Sequence, residues 1–180
     1  MHASICDFIL DITQNSIEAN ASNIEVAITT DGETLELIVA DNGKGMNEQQ
    51  LAKAFDPFYS EEGKHNHRKV GLGIPFLKQA VEATEGSLDI NSEPGKGTKL
   101  TARFIMNNFD APPFGNLPST VMSLMSFPGE FELTLKRSHK DEAYNVSRSD
   151  LIDALGELCD AESLSLGKQY IESLENELFS

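Results

Sequence analysis

Within the first twenty residues, ICDFILDITQNSIEAN (5–20) sets Asp7, Asp11, Asn15 and Glu18 at three- and four-residue spacing, which aligns side chains along one face of a helix. Ile5, Ile9, Ile12 and Ala19 fall on a separate apolar stripe. A second polar group, DNGKGM (41–46), follows directly on the apolar run LELIVA. Taken alone, Asp-Asn-Gly is ordinary turn chemistry, with Gly supplying a positive φ. The hexamer also holds the first of three Gly-x-Gly pairs: GKG at 43–45, GLG at 71–73 and GKG at 95–97. Lys64, His65, His67, Arg68 and Lys69 concentrate positive charge in one short segment of a chain whose net charge is −15. Such a cluster could take a small anion, although a solvated basic loop is the default.

Several familiar solutions for phosphate are missing. There is no GxxxxGK[ST] loop, since PGKGT has Gly where Ser or Thr is required, and no strand-borne GxGxxG with a downstream acid. Protein-kinase HRD and DFG elements are absent as well.

The elements that must position these groups follow from periodicity. NIEVAITT and ETLELIVA alternate like strands around Asp31-Gly32, a strong hairpin signal. NEQQLAKAF predicts a short helix capped by Asn47. FDPFYS and residues 60–69 read as a loop. VGLGIPFLKQAVEATEG predicts a helix with Phe76, Leu77, Ala80, Val81 and Thr84 on one face, and Pro75 is tolerated because it lies in the first turn. SLDINS and TKLTARFIM are strands around the EPGKG turn. Residues 1–106 therefore predict an α+β unit, with helices on one face of a mixed, mostly antiparallel sheet. NNFDAPPFGNLPST (107–120) reads as a boundary. Beyond it, residues 107–180 are expected to form an extension with a strand pair, FELTLKRS and EAYNVS, and two acidic helices.

Composition narrows the function classes. A chain of 180 residues with 39% hydrophobic residues can bury a real core. No apolar run approaches a membrane span, and MHASICDFILDITQNS lacks the basic start of a secretory signal. Strong net negative charge argues against a nucleic-acid partner. Residues 149–180 carry eight acids against Lys168 alone. Cys6 and Cys159 match no metal spacing, and cysteine this sparse suits a reducing cytoplasm, with both thiols expected to pack.

The ordered series DITQNSIEANAS, DNGKGM, FDPFYS, VGLGIPFLKQ and GKGTKLTARF resembles the GHKL, or Bergerat-fold, ATPases. That superfamily includes DNA gyrase, MutL, the heat-shock chaperone ATPase, histidine kinases and anti-sigma serine kinases. The resemblance covers roughly residues 5–106. It implies the Bergerat two-layer α/β sandwich, with ATP and Mg²⁺ as cofactors. On the matching positions, Asp41 would accept from the adenine amino group, a role suited to an acceptor-only carboxylate. Gly43, Gly45 and Met46 would line the base, with Thr98 supporting Asp41 and adenine. Gly71, Leu72, Gly73 and Ile74 would meet the phosphates at a helix N-terminus. Residues between Phe58 and Val70 would form a lid whose Lys64, Arg68 and Lys69 are donors suited to phosphate, with Phe55 and Phe58 packing its base. Asn15 falls on the family's magnesium ligand. Asp11 falls where the gyrase, MutL and anti-sigma branches carry a Glu general base.

This chain departs from the pattern in places. Asp11 is one methylene shorter than Glu, and typical histidine kinases have Asn there. Glu18 is acidic where histidine kinases are often basic. Both features lean away from sensor kinases. The first box begins near residue 8, without a phosphoacceptor-His helix hairpin before it, so a complete sensor kinase is not expected. The tail matches none of the large members' second domains, and loosely resembles that of stand-alone histidine-kinase-like ATP-binding proteins. The expected activity is transfer of the ATP γ-phosphate to a partner protein or slowly to water. The alternative is a non-catalytic, ATP-gated protein-binding module. Expected partners are ATP and a protein substrate or regulator, with a homodimer left open.

Overall fold

A computed structural model describes residues 4–57 and 72–180. The element order is α1 (Ile5–Glu18), β1 (Asn23–Thr30), β2 (Thr34–Asp41), α2 (Glu48–Ala54), α3 (Gly73–Ala83), β3 (Ser87–Glu93), β4 (Gly97–Ile105), α4 (Leu117–Met125), β5 (Glu132–His139), β6 (Glu142–Ser147), α5 (Arg148–Leu155) and α6 (Ala161–Leu178). The six strands form one sheet in the order β3-β4-β2-β1-β5-β6. Every pairing is antiparallel except β1 with β5, which run parallel from Asn23–Glu132 to Thr30–His139. The α+β architecture read from the sequence is the one observed.

Strand alternation builds the core. Ile24, Val26 and Ile28, Leu35, Leu37 and Val39, Leu100, Ala102 and Phe104, and Leu133 and Leu135 all point inward at period two. Against them pack Ile5, Ile9 and Ile12 of α1 and Leu77 and Val81 of α3, with Leu117, Val121 and Leu124 of α4. Burying side chains of this size stabilises by about 1.5–3 kcal/mol each before conformational entropy is counted. The opposite face is left to polar contacts, among them a Glu25–Lys136 ion pair of 2.6 Å.

The first helix follows its two stripes. Ile5, Ile9 and Ile12 are buried while Asp7, Asp11, Asn15 and Glu18 are all exposed. Ser4 caps it and forms a reciprocal box with Asp7, the Ser4 N–H donating to Asp7 Oδ2 at 2.7 Å. The apolar stripe ends earlier than read, because Ala19 is the C-cap, and Asn20 takes φ 57° beyond it. In α3, Leu77, Val81 and Thr84 are buried as read, but Phe76 is 50% exposed.

The segment 107–120 is more than a boundary. Pro113 O and Phe114 O accept from Ile5 N and Cys6 N at 2.9 Å each, supplying partners to the otherwise unpaired first turn of α1. Gly115, at φ +92°, crosses Ser4 so closely that a Cβ would stand 2.6 Å from its hydroxyl. Beyond it Asn116 caps α4, its side chain accepting from Ser119 N. This helix is absent from the sequence reading; its apolar residues are buried against α1 and α6. Cys6 is buried, and burial pushes its thiol up to about 12, partly opposed by a hydrogen bond with Thr120. Cys159 is exposed, against the expectation that both thiols pack. Among the described residues, no helix is long and apolar enough to cross a membrane.

Candidate nucleotide site

In β2 the inward positions 35, 37 and 39 lead by alternation to 41, so Asp41 ends the strand facing the helices. There the Ser16 hydroxyl donates to Asp41 Oδ2 at 2.6 Å, and the Gly43 N–H donates to Oδ1 at 2.8 Å. Ser16 is 4% exposed and Asp41 half-buried, so the two donors fix the carboxylate while leaving it acceptor capacity. Thr98 lies directly opposite Asp41 in the β2–β4 register. Its hydroxyl is 2.8 Å from Ser92 Oγ, which also accepts from Met46 N at 2.8 Å.

Backbone proximity explains two of the glycine pairs. A Cβ at Gly45, where φ is +64°, would run into the Glu93 carbonyl. One at Gly97, φ +99°, would run into the Asp41 carbonyl. Lys44 N donates to Ala19 O at 3.0 Å, and Gly95 N donates to Lys44 O at 2.7 Å. The DNGKGM turn is therefore clamped between the end of α1 and the β3–β4 turn. Sequence segments about fifty residues apart meet here.

The remaining glycine pair opens α3. Gly73 is its first residue, and a Cβ there would lie 3.3 Å from Asp11 Cβ and 3.7 Å from Asp11 Oδ2. The start of α3 is thus seated on the polar stripe of α1. Leu72 is the N-cap and gives no side-chain cap. The helix dipole and first-turn N–H groups of α3 accordingly favour an anion at this end. Asn15 follows Asp11 by one turn, and Ser16 contacts Asp41. Asp11 and Ser16 are five residues apart, about 7.5 Å along the axis at 1.5 Å per residue. A single helix thus touches both ends of the candidate site.

Of the residues singled out in the sequence, Asp41, Gly43, Gly45, Met46 and Thr98 come together at one end. Asp11 and Gly73 meet at the other, with Leu72 and Ile74 half-buried beside Gly73. Lys64, Arg68, Lys69 and Gly71 lie outside the described residues, as do Phe58 and the proposed lid. Phe55 is half-buried, with Lys78 Nζ 5.6 Å from its ring centroid. Two residues escaped sequence reading, Ser16 and Ser92. The available signal for Ser16 was a poor helix former at i+4 from Ile12, on the core side of α1. Ser92 had only its place two residues before a Gly-rich turn.

The donor set can be tested against magnesium. Among the described residues no three His, Cys, Asp or Glu are placed to hold a metal. Asn15 is exposed and offers one amide oxygen. Magnesium commonly takes one or two protein ligands and completes its shell with phosphate and water, so this set fits a nucleotide-borne cation.

Glycine-rich turns closing on a strand-end carboxylate, with a helix N-terminus beside an acidic helix, form an arrangement suited to an anionic, amino-bearing ligand on an α+β fold. The profile of the Histidine kinase-, DNA gyrase B-, and HSP90-like ATPase family matches residues 3–108, and the chain belongs to that family. Its nucleotide is accordingly ATP. Sensor histidine kinase YxdK of Bacillus subtilis (strain 168) is 28% identical over 98 residues, covering 52% of this chain and 30% of the relative. Sporulation kinase B of the same strain is 32% identical over 98 residues, covering 53% of this chain and 22% of the relative. The chain therefore spans under a third of either relative. Among solved structures, the N-terminal domain of a DNA repair protein is similar at a TM-score of 0.55 and 13% identity, covering 89% of this chain and 58% of that one. That likeness of fold runs past residue 108 into the C-terminal region, which the sequence did not reveal.

Proposed function

We propose that the chain binds Mg·ATP and transfers the γ-phosphate to a partner protein or slowly to water. Adenine would meet Asp41 and Thr98, and the phosphates would meet the N-terminus of α3. Asn15 would hold Mg²⁺, which when bound neutralises phosphate charge. The supporting observation is that a Cβ on Gly73 would stand 3.7 Å from Asp11 Oδ2, which puts a carboxylate near the helix end suited to phosphate. In the transfer, the bond from phosphorus to the bridging oxygen of ADP breaks and a bond to the acceptor oxygen forms. The acceptor's proton passes to the Asp11 carboxylate, and ADP leaves. Lys64, Arg68 and Lys69, outside the described residues, are kept as candidate phosphate donors on the family resemblance alone. The protein is assigned to the cytoplasm.

Two substitutions test the division of roles. Asn15→Ala should weaken Mg·ATP binding, because it removes a ligand present in the ground state. Asp11→Asn should leave ATP affinity nearly intact while lowering single-turnover rate by roughly 100- to 10,000-fold, the usual share of a general base. Normal turnover in Asp11→Asn would sink the catalytic assignment. In that event a histidine-directed kinase, whose acceptor needs no proton removed, becomes the better reading, whereas a wild type without turnover would leave an ATP-gated protein-binding module.

A further inference from the structure

We infer that Ser92 is a positioning residue for adenine selection, acting by fixing the Thr98 hydroxyl as a hydrogen-bond acceptor; this rests on the nucleotide reading above. Ser92 pairs with Thr98 across β3 and β4, and Thr98 pairs with Asp41 across β4 and β2. The three form a row across three strands, at the junction of the two glycine-rich turns.

The hydroxyl count of Ser92 sets the polarity of that row. Its oxygen accepts from Met46 N at 2.8 Å and lies 2.8 Å from Thr98 Oγ1 and 3.1 Å from Gly97 O. A hydroxyl has one proton and two lone pairs. Only one assignment satisfies all three contacts: Ser92 accepts from Met46 N and Thr98, and donates to the Gly97 carbonyl. The Thr98 proton is then committed to Ser92, and its lone pairs are left for the ligand. Beside it stands the Asp41 carboxylate, itself held by donors on both oxygens. Both ligand-facing groups are therefore acceptors. That polarity matches the exocyclic amino group of adenine and opposes the 6-oxo group of hypoxanthine or guanine. Without Ser92, the Thr98 hydroxyl turns freely and can donate to a 6-oxo group.

The test is competition binding of ATP and inosine triphosphate to the full chain, with Ser92→Ala, Ser92→Thr and Thr98→Val. Wild type should prefer ATP. Ser92→Ala should cut that preference about five- to tenfold, the size of one hydrogen bond, and Ser92→Thr should retain it. In a Thr98→Val background, Ser92→Ala should no longer move the ratio, since the group it aims is gone. A merely structural Ser92 would lower thermal stability and weaken both nucleotides equally; an unchanged ratio therefore overturns the inference while leaving the ATP reading standing. A wild type without ATP preference overturns both. Should Ser92→Ala fail to fold, Thr98→Val alone must reduce the preference, and a full preference there refutes the role.

Discussion

Replacing Asp41 with Asn changes almost no volume but reverses half of the group's hydrogen-bonding sense. The carboxylate oxygens accept from Gly43 N at 2.8 Å and from Ser16 Oγ at 2.6 Å. An amide cannot turn its NH₂ toward the Gly43 N–H, because two donors would face each other. It must therefore keep its oxygen on Gly43 and present NH₂ on the Ser16 side. Ser16 can respond by rotating to accept, its own proton returning to the helix carbonyl four residues back. The fold should survive this exchange. The ligand-facing edge, however, now carries a donor where adenine also donates. Losing a hydrogen bond to a charged group costs about 1.5–3 kcal/mol, or roughly 10- to 150-fold in ATP affinity. Affinity for a 6-oxo purine should rise, because its oxygen accepts from the new NH₂. Calorimetry with ATP and inosine triphosphate on both proteins measures the two directions. Equal losses for the two nucleotides, or no loss for either, would refute the assignment of Asp41 to the base.

Two further predictions concern stability. Asp31 accepts from Thr34 N at 2.6 Å, Glu33 N at 2.9 Å and Thr34 Oγ1 at 2.9 Å, and these bonds, led by the Thr34 N–H, hold its carboxyl down at about 2. Depressed in the fold, this group contributes stability that is full above the ordinary value near 4 and lost as pH falls toward about 2. The stability difference between wild type and Asp31→Asn should vanish over that window, and a carboxyl carbon titrating near 4 by NMR would contradict it. Arg137 is 2% exposed; its Nε lies 3.2 Å from Glu175 Oε1, an ion-pair distance off the line of a hydrogen bond, and Nη1 donates to Ser138 O at 2.8 Å. Arg137→Met should cost about 3–5 kcal/mol by stranding Glu175. Adding Glu175→Gln should recover part of it, since the amide still accepts from Tyr144 OH, so equal denaturation midpoints for the single and double variants would reject that account.

The strands and the first helix were legible because burial on one face imposes a period. Ile5, Ile9 and Ile12, or Leu35, Leu37 and Val39, have no other arrangement that hides them together. The site was legible where glycine is irreplaceable: Gly45 and Gly97 stand where another backbone already passes, and such positions recur as Gly-x-Gly in the text. Helix α4 was missed although Leu117, Val121, Leu124 and Met125 stand at helical spacing, because NLPSTVMSLMSF begins with turn formers that here serve as cap and first turn. Phe76 was misplaced since a helix position adjacent to the buried row is apolar in sequence whether or not anything covers it. Ser16 and Ser92 were invisible for a different reason. A hydroxyl does nothing until its partners are brought to it: Asp41 lies 25 residues from Ser16 and Met46 lies 46 from Ser92, whose nearer partners Gly97 and Thr98 meet it only once the β3–β4 turn has closed.

How residues 107–180 bear on the site follows from what they hold. Helix α1 carries Asp11, Asn15 and Ser16, so its position sets both ends of the candidate site at once. Its C-terminal half is fixed by the Ser16–Asp41 bond and by Lys44 N on Ala19 O. Its N-terminus is fixed by carbonyls of Pro113 and Phe114, and α4 packs along it. Phe114 in turn lies against the buried guanidinium of Arg137, 5.4 Å from its ring centroid, and Phe179 at the end of α6 flanks the same guanidinium at 5.2 Å. A continuous path of packed groups therefore runs from the last turn of α6, through Arg137 and Phe114, to the first turn of the site helix. Contiguity of this kind is a route by which tail and cleft can be coupled, and it becomes a mechanism only if two arrangements of that path exist. The parallel β1–β5 pairing argues for one arrangement at the sheet. Eight residue pairs tie β5 to the strand beside β2, so any second arrangement must lie in the helices and the 107–120 crossing.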